Sequence, residues 1–138
     1  MAFPTLAEYE SLVYGLPDKY PEIVSSTVRI YGASALTAAV EGELEFNSGL
    51  RLRVAEAIDF SAGLIRKYGY TVYRGEDKIR WYDPQPHPNV PALAETFPHH
   101  YHESPDIKHN RCPAPGLSFH SPNLPALITD CIQLGKTL

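Results

Sequence analysis

Two adjoining segments alternate so strictly that they can settle only as a β-hairpin. Val40, Gly42, Leu44 and Phe46 fall on one face of an extended chain, and Glu41, Glu43 and Glu45 on the other. Side chains in a strand change face at every residue, so the pattern fits a sheet covered on one side and wet on the other. Asn47-Ser48-Gly49 makes a turn. The next strand points Leu50, Leu52 and Val54 inward and Arg51 and Arg53 outward, which sets Glu43 across from Arg53 and Glu45 across from Arg51. The phase then breaks. The next inward position is Glu56, followed by Ile58 and Phe60. Either a bulge flips the register there or a carboxylate points at the covered face.

Residues 64–74 and 78–83 read as a second hairpin about Gly75-Glu76-Asp77. A two-residue loop pairs Arg74 with Asp77, Val72 with Ile79, Tyr70 with Trp81 and Tyr68 with Asp83, an apolar match that makes it the preferred register. A three-residue loop would instead put Tyr70 beside Tyr82 and Val72 beside Arg80. Residues 27–31 add a β-branched and aromatic strand. Thr5 and Glu8 form a capping box for a first helix carrying Leu6, Tyr9 and Val13, with Gly15 and Pro17 as its stop. A last helix is expected after Ser121 as cap and Pro122 at its first position. Its stripe is Leu124, Leu127, Ile128, Cys131 and Leu134, and Gly135 ends it. The expected architecture is α+β, an antiparallel meander of about five strands with an N-terminal and a C-terminal helix packed on it. One domain is expected over 1–138, with residues 1–25 as a helical extension and 84–120 as an irregular proline- and histidine-rich segment.

Apolar residues make up 43% of the chain, enough for a core without disulfides or a structural metal. A net charge of -4 argues against a generic nucleic-acid coat while leaving room for a local basic patch. Cys131 falls on the apolar stripe as a buried thiol, and Cys112 lies in a proline-rich loop that can expose it. Two cysteines are too few for a disulfide framework. No apolar run approaches the ~18 residues of a membrane span, and no basic-then-apolar leader opens the chain. A soluble, cytoplasmic protein without membrane contact is expected.

Eight of the thirteen prolines lie between Pro84 and Pro115, and that stretch also holds five of the six histidines. Phe97-Pro98-His99-His100-Tyr101-His102 is its densest part, with His87 a short loop away. Imidazole titrates near neutrality and is the commonest metal ligand, so proton transfer, substrate binding and metal binding are all open to this segment, and a solvated idle loop is the plain alternative. The spacing matches no zinc signature, although Glu103 and Asp106 are close in sequence. No metal and no cofactor are therefore expected. Asp83 leaves the last strand of the meander and heads towards the histidines, where it can orient an imidazole or simply end the strand. The candidate catalytic set is His99, His100, His102, His87 and Asp83.

Seven of the twelve Lys and Arg residues lie between Arg51 and Arg80, interleaved with Tyr68, Tyr70 and Tyr73, with Trp81 next in line. Basic groups contact phosphates and aromatic faces stack on bases, a mixture suited to single-stranded RNA. A sheet with an aromatic core and a charged wet side would look the same. Arg66, Tyr68, Tyr70, Arg80 and Tyr82 are the candidate substrate-binding residues. No Gly-rich phosphate loop and no Ser-His-Asp order is present.

At these residues the chain resembles the TumE-type toxin–antitoxin protein family. The resemblance rests on residues 47–54, on Arg66-Lys67-Tyr68-Gly69-Tyr70, on Trp81-Tyr82-Asp83 with His87-Pro88, and above all on Phe97-Pro98-His99-His100-Tyr101-His102, spanning roughly residues 36–102. The chain departs from the family pattern at Pro84 and the single His87, where an asparagine and a doubled histidine are usual, and at Tyr101, where a basic residue is usual. The resemblance implies a cytoplasmic toxin of a type II system with ribonuclease activity, held by a cognate antitoxin that bears a helix-turn-helix domain. A homodimer is compatible with it. The expected reaction is metal-independent cleavage of single-stranded RNA. His99 or His102 would take the 2′-hydroxyl proton, another imidazole would protonate the leaving oxygen, and Arg66 or Arg80 would stabilise the phosphorane. The alternative is a non-catalytic metal- or anion-binding or protein-interaction module built on the same sheet.

Overall fold

The computed structural model describes residues 2–138. Helix α1 (Leu6–Lys19) leads into strands β1 (Ile23–Ser26), β2 (Arg29–Gly32), β3 (Thr37–Phe46), β4 (Leu50–Asp59), β5 (Leu64–Arg74) and β6 (Asp77–Asp83). A short 3-10 helix (Pro91–Thr96), strands β7 (His100–Glu103) and β8 (Arg111–Pro113) and helix α2 (Leu124–Thr137) complete the chain. All the strands join one antiparallel sheet in the order β1-β3-β4-β5-β6-β7-β8, with β2 continuing β1 along β3. The class is α+β, as expected, with eight strands instead of about five. The expected strand at residues 27–31 is found at Arg29–Gly32, a further strand, Ile23–Ser26, precedes it, and two short strands come from within the histidine-rich stretch.

The β3–β4 hairpin has the expected register, with Glu43 opposite Arg53 and Glu45 opposite Arg51. Arg51 reaches diagonally to Glu43 at 2.7 Å. Leu50, Leu52, Val54, Glu56 and Ile58 are all buried, so the alternation runs straight through Glu56. The irregularity lies instead on the neighbouring strand, where Ala57 pairs with Lys67 and Ile58 with Ile65, leaving Arg66 as the extra residue. The Glu56 carboxylate accepts from Tyr9 of α1 at 2.7 Å and from Tyr70 of β5. Asn123, just before α2, donates to the Tyr70 oxygen at 3.1 Å. Burial pushes the Glu56 carboxyl up from its ordinary value, and the two tyrosine donors oppose that rise only in part.

The second hairpin combines both expected registers. Arg74 pairs with Asp77 and Tyr73 with Lys78, as a two-residue loop requires. A bulge at Ile79 then shifts the pairing, so that Val72 meets Arg80, Thr71 meets Trp81 and Tyr70 meets Tyr82. The expected pairs Val72–Ile79, Tyr70–Trp81 and Tyr68–Asp83 are therefore replaced. One inserted residue moves every later β6 side chain to the other face.

Both helices depart from their expected ends. The Thr5–Glu8 capping box is present, but α1 continues through Gly15 and Pro17 to Lys19. Leu16 is buried, and Tyr20 N–H closes the last turn on the Leu16 carbonyl. Proline in a final turn removes one helical hydrogen bond, which that burial offsets. The α2 cap is Asn123, not Ser121, and Pro125 rather than Pro122 lies in the first turn. The Asn123 amide turns inward to Tyr70 and to Ser118. Gly135 does not end α2. A side-chain carbon there would come within 2.8 Å of Ser48 on the β3–β4 turn, so its small size sets how closely the helix meets the sheet.

Gly42 has the tightest backbone requirement. Its φ is +143°, and a Cβ would stand 2.5 Å from the Thr27 carbonyl oxygen and the Val28 Cα, where the chain passes from β1 to β2. Gly42→Ala should cost roughly 2–4 kcal/mol in urea unfolding, from strain and overlap together. Glu56 gives a pH test. A carboxyl with a raised folded pKa contributes fully below its unfolded value and loses that contribution as pH rises through the folded one. Wild-type stability relative to Glu56→Gln should therefore fall as pH climbs from ~4.5. Parallel stability curves for the two proteins would show that this carboxyl does not titrate inside the fold.

Candidate active site

Directly paired residues of an antiparallel sheet share a face. Tyr82 pairs with Tyr101 and Arg80 with Glu103, which puts all four on the side of Tyr70 and the helices. Trp81 pairs with His102, Asp83 with His100 and His102 with Arg111, on the opposite, outer side. The sheet thus divides the candidate residues between its two faces.

On the outer side, Asp83, His100 and His102 are buried together, at 7%, 1% and 4% exposure. The two imidazole Nε2 atoms are 3.1 Å apart. His100 Nε2 lies 3.2 Å from Asp83 Oδ1, and His102 Nε2 lies 3.3 Å from Asp83 Oδ2. His100 Nδ1 donates to the Pro98 carbonyl at 3.1 Å, which places the proton of the neutral ring on Nδ1 and leaves Nε2 with its lone pair. Asp83 Oδ1 also accepts the Gln85 N–H at 2.8 Å, while among the described residues the buried Oδ2 has no hydrogen-bond partner. Trp81 stacks on His102 with ring centroids 4.6 Å apart, and His87 meets His100 edge to face at 4.9 Å. One donor atom from each of Asp83, His100 and His102 falls within 4.8 Å of the others, a grouping able to hold a metal ion.

Arg111 and His87 stand over this cluster. Arg111 forms no ion pair among the described residues, and its buried Nε lacks a hydrogen-bond partner. Partial burial, with the Arg111 and His100 charges adding to it, pushes the His87 imidazole below its ordinary value, with Asp83 opposing. Burial likewise pushes His102 down, again against Asp83. Further across the same face, Ala39, Ala55, Ala57 and Gly69 floor a groove of about 340 Å³ with Glu41 and Lys67 beside it.

His99 turns the other way. Its Nδ1 is 2.5 Å from the Tyr68 hydroxyl, and its ring stacks near Tyr68 and Phe119. It borders a cavity of about 290 Å³ that includes Glu95 and the exposed Phe97. Burial lowers the His99 pKa, with the neighbouring His100 adding to the effect, and burial raises that of Tyr68.

The expected substrate-binding set is dispersed. Tyr70 is fully buried and held by Glu56 and Asn123, so its ring offers no face to a base. Tyr82 is 1% exposed, and its hydroxyl donates to Asp130 of α2 at 3.1 Å. Tyr68 is buried between Tyr70 and Phe119. Arg80 is tied to Glu103 at 2.5 Å beneath the Tyr101 ring. Arg66 is exposed and paired with Asp59 at 2.9 Å. Six positions of β5, about 20 Å, separate Arg66 from the level of Arg80, too far for both to touch one phosphate. His100 and His102, expected to meet substrate, are buried beneath their neighbours. Sequence reasoning missed Arg111. Arg111 comes nine residues after His102, and only the β7–β8 pairing brings it back.

No curated protein and no solved structure matches the chain. No described helix is long and apolar enough to cross a membrane. A family model described as Toxin TumE matches residues 15–134, from the middle of α1 to the last turns of α2, well beyond the segments that carry the resemblance in sequence. The chain belongs to the TumE family of toxins, proteins of toxin–antitoxin systems whose partner is a cognate antitoxin.

Proposed function

We propose that this chain is the toxin of a type II system and an endoribonuclease acting on single-stranded RNA, cutting beside His87 and Arg111 on the outer face of the sheet. The observation that carries this reading is the pairing of a reachable imidazole with a guanidinium that has no acidic partner, both set over a rigid buried cluster. Cleavage of RNA without an external nucleophile needs a base for the 2′-hydroxyl, an acid for the leaving 5′-oxygen, and positive charge for the phosphorane. Arg111 supplies the charge that Arg66 and Arg80, both already paired, do not offer. His87, in ring contact with His100 and partly open to solvent, is the imidazole suited to act there as base or acid, whereas His99 faces Tyr68 and Phe119 on the other side of the sheet. Asp83, His100 and His102 are positioning residues in this scheme, because their burial keeps them from the strand. Lys67 and the outer-face groove give the RNA a path that does not depend on the overall charge of -4. The antitoxin, with a helix-turn-helix domain, would act in the cytoplasm by covering the same face.

The purified protein should convert single-stranded RNA into fragments ending in 2′,3′-cyclic phosphate. His87→Ala and Arg111→Ala should each slow cleavage by about 10²–10⁴, while Arg66→Ala should cut at the wild-type rate. Wild-type turnover in the Arg111→Ala protein would place the reaction elsewhere, and ends other than cyclic phosphate would exclude this chemistry.

A further inference from the structure

We infer that Asp83, His100 and His102 form a site for one divalent transition-metal ion of the zinc class. The inference concerns occupancy and stability, and does not rest on the ribonuclease reading. Three observations converge on it.

The first is spacing. A tetrahedral ion with bonds of about 2.0–2.1 Å to nitrogen and oxygen keeps its ligand atoms about 3.3 Å apart. The two Nε2 atoms are 3.1 Å apart and His100 Nε2 is 3.2 Å from Asp83 Oδ1, which matches two edges of such a polyhedron, while His102 Nε2 meets the other carboxylate oxygen, Oδ2, at 3.3 Å. One donor atom from each of the three residues lies within 4.8 Å of the others.

The second is the charge and hydrogen-bond state of the cluster. A carboxylate at 7% exposure with an unpartnered Oδ2 calls for positive charge or a donor close by. The Pro98 carbonyl takes the Nδ1 proton of His100, so the Nε2 lone pair aims at Asp83 and His102. A metal ion would meet the Asp83 oxygen and the Nε2 lone pairs at once. Two imidazoles and one carboxylate suit zinc and its neighbours, while magnesium and calcium prefer oxygen ligands throughout.

The third is the support behind the ligands. Asp83 and His100 are direct partners on adjacent strands, and His102 is two residues further along β7. The Pro98 carbonyl orients one imidazole, Trp81 packs on the other, and the Gln85 N–H fixes the carboxylate. Such outer contacts are what hold metal ligands in place. Arg111, next to His102 across β7 and β8, would leave the ion's fourth position suited to water or an anion.

The test uses the full chain, stripped with a chelator and titrated with Zn²⁺ and, separately, Co²⁺. One equivalent of zinc per chain should survive gel filtration, and the melting temperature should rise with free zinc. Cobalt should give the visible absorption of a four-coordinate site. Asp83→Asn and His102→Ala should each weaken zinc binding by at least ~10²-fold, and Asp83→Asn should also shift the cobalt spectrum. A double variant of the exposed His109 and His120 should keep both signals. If His102→Ala does not fold, the spectral shift of Asp83→Asn still decides the matter. Absence of stoichiometric zinc in the wild type, or loss of it in the His109/His120 variant, overturns the inference and leaves a shared proton to hold the cluster. No arm involves RNA, so failure of cleavage and failure of metal binding are read separately.

Discussion

Among the described residues, Glu56 is the one carboxylate placed inside the helix-covered core, and its hydrogen-bond network draws on three other parts of the chain. Tyr9 brings α1 to it, Tyr70 brings β5, and Asn123 ties the entry to α2 through the Tyr70 oxygen. A buried acid with fewer donors would cost several kcal/mol, so the group works only when all of these elements are docked together. It also sets the parity of the sheet. With Tyr70 held inward, its pairing with Tyr82 turns Tyr82 inward, and the next residue, Asp83, faces outward. Pairing across β6 and β7 then sends His100 and His102 to the same outer side. The chemistry on one face is thus fixed by a hydrogen-bonded acid on the other.

The outer cluster follows a division of labour between buried and reachable groups. His100 and His102 sit deep enough to have single orientations, while His87 and Arg111 keep solvent access above them. A buried imidazole pair is rigid but cannot touch a polymer, and an exposed pair touches it but wanders. Packing one kind on the other obtains both properties from a stretch rich in proline and poor in regular structure.

The amphipathic alternation of β3 and β4, the capping box of α1 and the α2 stripe were all readable in sequence, because each depends on residues close together in the chain. So was the grouping of the histidines with Asp83. What escaped depended on single long-range events. The bulge at Ile79 inverts the facing of Arg80, Tyr82 and Asp83, and no local pattern marks it, since both registers give plausible apolar pairs. The burial of Tyr70 hinges on Glu56, whose inward placement was only one of two readings. Asn123 displaced Ser121 as the α2 cap because its amide is needed inside. The placement of Arg111 beside His102 required β8, three residues long and bounded by proline.

The ends of the sheet carry a consequence for how this molecule meets others of its kind. At one edge the outermost strand is broken between Ser26 and Arg29, where the chain crosses over Gly42. At the other, β8 has three residues and closes on Pro113, which has no N–H to offer. An eight-stranded sheet with long uninterrupted borders would invite further strands to add on, in a dimer or in a fibre. Here neither border presents a continuous row of free amides and carbonyls. Strand-on-strand polymerisation is disfavoured by construction, and recognition of another macromolecule is directed to the faces of the sheet.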